Sequence, residues 1–232
     1  MTDFTVVAIG DSAFRNASNI IYARVYSSLT SIGIHAFAEC TKLTYISLPS
    51  TLTTLERAAF AHTAITTIDL PNQLQTIGRT VFSGCKDLVS IRIPESVTSI
   101  GSSAFDHCTS LNSIVLPASC PTIGSTCFHY CTALNLIINY AVTPQDIPTD
   151  SFLEIPVPEA ITLRVPYGSK QAYLAVAGWK LLHIEELPNP NEGIEQPISD
   201  SSLKGGEKFL RDGQLFIEKN GKVFNALGTE IK

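Results

Sequence analysis

Charged side chains are scarce in this sequence. Asp, Glu, Lys and Arg make up 16% of the 232 residues, against roughly 25% in ordinary soluble domains. A surface so short of charge must be built from Ser, Thr and Asn, the residues of turns and stacked ladders. Basic runs are missing too. With a formal net charge of −5 and no cluster of Lys or Arg, the chain lacks the electrostatic footprint of a nucleic-acid binder. It also lacks the polybasic patch that holds a protein to an anionic membrane. No stretch reaches the roughly 18 apolar residues of a membrane span. The chain opens Met1-Thr2-Asp3-Phe4, with an acid where a secretory signal carries bases. Either a leader lies outside this chain or the protein is cytosolic. A phosphate loop, a dinucleotide fingerprint and a G-x-S-x-G nucleophile turn are all absent. So is a Cys-x-x-Cys pair of the kind that holds structural zinc.

What is present is a repeat. Ile9-Gly10-Asp11-Ser12-Ala13-Phe14 returns as Ile32 to Phe37, Leu55 to Phe60, Ile77 to Phe82, Ile100 to Phe105 and Ile123 to Phe128. In the third copy Glu56 replaces the glycine. The Phe positions 14, 37, 60, 82, 105 and 128 are separated by 23, 23, 22, 23 and 23 residues. Three residues after each Phe stands a small residue: Ala17, Cys40, Thr63, Cys85, Cys108 or Cys131. An aliphatic residue follows, then the alternating pairs Ile46/Leu48, Ile68/Leu70, Ile91/Ile93 and Ile114/Leu116, closed by Pro49, Pro71, Pro94 and Pro117. The short third unit lacks one residue between Thr63 and Ile65.

A period near 23 means a solenoid, in which no unit can bury its apolar side alone. Alternation at period 2 turns Ile and Leu inward and the residues between them outward. Proline cannot donate to the ladder and so ends each strand. The Phe residues should stack as one aromatic ladder through the core, and the glycine of Ile-Gly should make a tight turn. A position that accepts Ala, Thr and Cys is a small buried site, so its cysteines read as buried thiols. Adjacent ones could nonetheless approach disulfide distance. Of the histidines, His62 and His107 share a repeat position two coils apart, about 10 Å, too far to share a metal. Asp106 should lie near His129, and His107 near Tyr130. No metal, cofactor or catalytic residue is assigned.

The unit Leu-x-x-Ile-x-Leu-Pro-x-x-Val-x-x-Ile-Gly-x-x-Ala-Phe-x-x-Cys, read most fully from Leu88 to Cys108, resembles the BspA-like branch of the leucine-rich repeats. The resemblance covers residues 4–140. It implies a right-handed, β-rich superhelical solenoid, and a bacterial protein that is secreted or exposed at the cell surface and serves adhesion or recognition. Its pattern contains no catalytic residues. The expected function is a non-enzymatic module that binds a protein or glycan on its concave sheet face, and the lack of basic clusters leaves no nucleic-acid partner expected. The candidate binding residues on that face are Tyr22, Arg24, Tyr45, Asp69, Arg92 and Arg164. Tyr and Arg are enriched at binding hot spots. Val115, Leu136, Ile138 and Tyr140 make an apolar patch, which the segment 141–159 should cover.

Beyond Leu134 the pattern loosens into a proline-rich excursion. A seventh strand, Ile161 to Val165, opens an expected capping unit from about residue 160. In it Ser169 should cap a helix that Gly178 ends, and Trp179 should pack on the last coil. The expected organisation is a solenoid over 1–186, a linker over 187–206 and a three-stranded β-meander over 207–232. The meander's hairpins are signalled by Asp212-Gly213 and Asn220-Gly221. It resembles short C-terminal tails of some secreted bacterial proteins, which can act as sorting signals. The chain begins in mid-unit, so the first coil should expose its core face to a preceding domain or to a second copy. This gives the alternative function: a structural spacer that makes contacts through its two ends.

Overall fold

The computed structural model describes residues 8–25 and 28–189, together with the backbone of strands Glu207–Arg211, Gln214–Lys219, Lys222–Asn225 and Glu230–Ile231. The chain divides into two compact units, 1–186 and 187–232. The first is a parallel β-solenoid. We number its coils by the Phe each contributes to the core: Phe14, Phe37, Phe60, Phe82, Phe105 and Phe128 in coils 1 to 6.

Two parallel ladders run along the stack. Short strands enter each Ile-Gly corner: β1 (Ala8–Ile9), β3 (Ser31–Ile32), β5 (Thr54–Leu55), β6 (Thr76–Ile77), β8 (Ser99–Ile100) and β10 (Thr122–Ile123), paired in that order. The longer strands are β2 (Tyr22–Arg24), β4 (Tyr45–Ser47), β7 (Ser90–Arg92), β9 (Ser113–Leu116), β11 (Leu136–Asn139), β12 (Thr162–Val165) and β13 (His183–Glu186). These form two separate sheets, β2-β4 and β7-β9-β11-β12-β13. Counting the extended segment of coil 3 between them, they mark eight turns.

The Phe ladder stands as expected. Successive rings from Phe14 to Phe128 stack with centroids 5.0–6.0 Å apart, an offset arrangement that adds about 0.5–1.5 kcal/mol per pair beyond burial. The stack continues into the proline-rich segment, where the sequence suggested only an excursion. Phe152 stacks on Phe128 at 5.7 Å. The Phe128 and Tyr130 N–H groups donate to the Ser151 and Leu153 carbonyls, so residues 141–161 close a seventh, irregular coil.

The glycine of Ile-Gly does different work from the turn expected of it. Positive φ falls instead on the residues two before and two after each Phe, such as Ser103 (57°) and His107 (57°) around Phe105. This places alternate N–H groups along the stacking axis: Ser103, Phe105 and His107 donate to the next coil at 2.8–3.0 Å. The amides of Asp106 and Cys108 bond within their own coil, to the Ser103 and Phe105 carbonyls. The Ile-Gly glycines have no positive φ. They are needed because a Cβ on Gly124 would lie 2.2 Å from the Ser102 backbone nitrogen, and one on Gly101 would lie 2.5 Å from that of Arg79.

All six cysteines are free and buried. The thiols of Cys40, Cys85, Cys108 and Cys131 donate to the Phe carbonyl one coil earlier at 3.0–3.1 Å. Thr63 holds the equivalent place and donates to the Phe60 carbonyl at 2.9 Å. In five of the six coils the small buried site therefore also carries a donor, Ala17 being the exception.

At the C-terminal end Trp179 is fully buried, 6.0 Å from both Phe152 and Tyr173, and its Nε1 donates to the Gln145 carbonyl. The helix α1 (Lys170–Leu174) is shorter than expected and Ser169 does not cap it. Ser169 Oγ donates back to the Pro166 carbonyl, while Glu186 Oε1 accepts from the Lys170 N–H at 2.9 Å. Gly178 begins a 3₁₀ turn rather than ending the helix.

In the second unit the antiparallel strands β14 (Glu207–Arg211), β15 (Gln214–Lys219) and β16 (Lys222–Asn225) pair as a meander, with Arg211 opposite Gln214 and Lys219 opposite Lys222. A fourth short strand, β17 (Glu230–Ile231), pairs with β16 and extends the expected three. The two hairpin turns and most of the linker lie outside the described residues. So do residues 1–7, on which the expectation of an uncapped first coil turns. Phe14 in that coil is 43% exposed, whereas Phe37 is 2% exposed.

Candidate binding face

The candidate residues sit where alternation places them, on the outward positions of the longer strands. Tyr22 lies opposite Tyr45 and Arg24 opposite Ser47 in register. Tyr22 is 73% exposed and Tyr45 41%, so the two rings and Arg24 share one stretch of the β2-β4 face. Arg164 is separate. It lies in register between Ile138 and Glu185, with its Nε donating to Glu185 Oε2 at 3.3 Å. Leu136, Ile138 and Val115 remain partly exposed and Tyr140 is exposed, so the seventh coil does not cover the apolar patch.

Asp69 and Arg92 hold the same repeat position in adjacent coils, but the ladder between those coils is broken. In coils 1, 2 and 4 to 8 the longer strand pairs with a neighbour, but residues 67–70 of coil 3 form no strand. Thr66 still donates to the Thr44 carbonyl, and Val89 to that of Thr66. Beyond Thr66, no backbone hydrogen bond joins residues 67–70 to coil 2 or coil 4. One difference in sequence lies just upstream. Other coils take three steps from the small residue to the next aliphatic, as from Cys85 to Leu88, but coil 3 takes two, from Thr63 to Ile65. One missing residue removes about 3.3 Å of chain at the corner. The following strand is displaced from the ladder while Ile65 and Ile68 stay buried.

The displacement opens a groove of about 340 Å³ between coils 3 and 4. Asp69 and Arg92 line it, together with Thr67, Asn72, Ser90 and Pro94. Among the described residues neither Asp69 nor Arg92 is in an ion pair. The groove therefore offers a carboxylate, a guanidinium, two hydroxyls and strand backbone groups without ladder partners. Such a set suits hydrogen bonding to a polar ligand. The 22-residue step is the signal in the sequence that could have pointed to it.

The cysteines offer no comparable chemistry. Burial pushes the Cys85 thiol up to about 11 and holds Cys108 and Cys127 well above the usual thiol range. A thiol kept protonated is a poor nucleophile.

The BspA type leucine-rich repeat model matches residues 7–135 in six copies. Among curated proteins none matches. Among solved structures, the chain is similar to a leucine-rich repeat protein of T. pallidum, at 33% identity and a TM-score of 0.58, over 62% of this chain and 71% of that one. It is also similar to a leucine-rich repeat protein of Bacteroides ovatus, at 28% identity and a TM-score of 0.56, over 81% of this chain. It spans 48% of that longer protein's length. With six copies in register across more than half its length, the chain belongs to the BspA-type leucine-rich repeat family.

Proposed function

We propose that this protein is a non-enzymatic binding module, displayed outside the bacterial cell, that recognises a protein or glycan through the face of its longer strands. The observation that carries the reading is the groove between coils 3 and 4. There a break in the ladder leaves Asp69, Arg92 and the coil 3 backbone free to bond a ligand. Tyr22, Arg24 and Tyr45, on the adjoining coils 1 and 2, extend the face with two exposed rings and a cation. Arg164 contributes less, because Glu185 already holds it. No helix among the described residues is long and apolar enough to cross a membrane.

The test is binding to an immobilised panel of secreted matrix proteins and mucin-type glycans. Three proteins are compared: wild type, Asp69→Ala with Arg92→Ala, and Tyr22→Ala with Arg24→Ala and Tyr45→Ala. Loss of at least roughly tenfold in affinity, the size of effect expected of hot-spot residues, with unchanged melting behaviour supports the face. Wild-type binding in both variants overturns it and moves the contacts to the two ends of the chain, as a structural spacer would require.

A further inference from the structure

On the turn side of coils 5 and 6, away from the strand face, three metal-ligating side chains converge. Asp106 Oδ1 lies 2.7 Å from His107 Nδ1 and 2.9 Å from His129 Nδ1, and one ligand atom from each of the three side chains falls within 4.8 Å of the other two. The sequence anticipated the pairing of Asp106 with His129 and of His107 with Tyr130. It did not join them, because it compared histidines at one repeat position, whereas His107 and His129 meet on a diagonal between adjacent coils.

We propose that Asp106, His107 and His129 bind one divalent transition-metal cation of the zinc class, with its remaining position open to water. Two imidazoles and one carboxylate are the donor set such borderline cations prefer. Calcium and magnesium require oxygen ligands, of which the trio offers too few. Donors about 2.0–2.1 Å from a tetrahedral ion sit roughly 3.3 Å apart. Asp106 Oδ1 therefore needs to move about half an ångström away from each Nδ1, while the two imidazole donors, within 4.8 Å of each other, close toward the same spacing. To present Nδ1 to the ion, each neutral imidazole would carry its proton on Nε2, a tautomer change that consumes and releases nothing. The side chains are 20–46% exposed, which leaves an ion a path in.

The backbone and a neighbouring ring hold the trio in place. His107 N–H donates to the His129 carbonyl at 2.8 Å, Gly84 N–H to the Asp106 carbonyl at 2.7 Å, and Tyr130 N–H to the Leu153 carbonyl at 3.1 Å. The Tyr130 ring lies 4.3 Å from the His107 ring and 4.5 Å from that of His129. Because His107 and His129 belong to different coils, a bound ion would clip coil 5 to coil 6.

The experiment is calorimetric titration of untagged, chelator-stripped protein with zinc chloride, followed by cobalt(II) absorption and melting with and without zinc. The expected result is one ion per chain, visible cobalt bands of a four-coordinate site, and a melting temperature that rises with zinc. His107→Asn, which keeps a residue type tolerant of positive φ, and His129→Ala should each weaken binding by more than the roughly 10–100-fold cost of losing an outer-shell partner. His62→Asn, at the same repeat position two coils away, should bind zinc as wild type does. Two results overturn the site: wild-type protein that binds zinc no more tightly than the His107→Asn/His129→Ala double variant, or an equal loss in His62→Asn. Either leaves a hydrogen-bonded Asp-His pair with no metal role.

Discussion

Coil 3 and coil 5 are built from the same repeat, yet they differ most on the strand side. In coil 5, β9 pairs in register with strands on both sides, and Cys108 donates into coil 4. In coil 3 the strand ladder is open, but Phe60 is as buried as Phe105 and the turn-side hydrogen bonds continue, as in Phe60 N–H to the Val81 carbonyl. The two sides of a coil are therefore separable. The Phe stack and the alternating-φ turn hold the coil in the array, which leaves the strand side free to open where one residue is lost. The strand face can vary at small cost to the solenoid.

The largest expected effect tests whether the stack is what holds coil 3. Phe105→Ala and Phe60→Ala should each cost about 3–5 kcal/mol, the range for removing a buried aromatic. They should differ in cooperativity. Nearest-neighbour coupling propagates unfolding along a repeat array, and coil 3 lacks ladder bonds to support the join. Phe60→Ala should therefore split the urea transition into two, with coils 1 and 2 melting first, while Phe105→Ala should keep one transition. A single transition in both would mean that the ladder break does not weaken coupling.

The thiols sharpen the contrast between Cys85 of coil 4 and Thr63 of coil 3. Burial raises the Cys85 thiol to about 11 in the folded protein, above the ordinary value near 8.5 that the unfolded chain restores. Above that ordinary value the unfolded state ionises and the folded state does not, so stability falls as pH rises. The contribution is complete below about pH 9 and is lost by about pH 11, at roughly 1.4 kcal/mol per pH unit for each such thiol. Unfolding measured at pH 8, 9, 10 and 10.5 should show this decline. Cys85→Ala, the residue already accepted at position 17, should reduce its slope by one thiol. An unchanged slope would show that Cys85 is not held protonated.

The glycines come next in size. Gly124→Ala places a Cβ against the Ser102 backbone, where neither partner can rotate away, and should cost about 1–3 kcal/mol by overpacking. Glu56 occupies the same repeat position in coil 3 and already carries a side chain, so Glu56→Ala should be nearly neutral. Equal costs at the two positions, read from urea midpoints, would mean that coil 3 stacks as tightly on this side as coil 6.

The periodic features were the ones legible in sequence. Stacking of Phe14 through Phe128, burial of Cys40, Cys85, Cys108 and Cys131, and the nearness of Asp106 to His129 all follow from residues that recur at one register. What escaped was whatever departs from register or depends on backbone angle. Phe152 continues the stack 24 residues after Phe128 without an Ile-Gly before it, and the surrounding prolines read as loop. The positive-φ positions hold Ser, His, Ala, Thr, Asn, Glu, Gly and Tyr, so no residue type marks them. The Ile-Gly glycine looks the same in sequence whether it serves a turn or a close approach. The 22-residue step was visible. Its consequence was not, because a missing corner residue can be absorbed by the turn or passed on to the strand, and only the hydrogen bonds show that the strand took it.

That last point leads to the smallest expected effect and the one most specific to the groove. Inserting one Lys between Thr63 and Ala64 restores the three-step corner of Cys85 to Leu88. If the short corner displaces the strand, residues 67–70 should return to the ladder and pair with β4 and β7. Each recovered hydrogen bond is worth about 0.5–1.5 kcal/mol net, and part of that is offset by ordering the lengthened turn, so a gain of about 1–2 kcal/mol is expected. Amide exchange reads the change more directly than the midpoint does. In the wild type the Ile68 and Asp69 amides should exchange far faster than Ile91 and Ile114, which sit in paired strands. In the insertion variant they should slow toward those values, and the groove lined by Asp69 and Arg92 should close, lowering binding without touching either side chain. Slow exchange at Ile68 in the wild type would show the ladder intact in solution and remove the groove; fast exchange that the insertion leaves unchanged would place the cause of the break in residues 66–70 themselves.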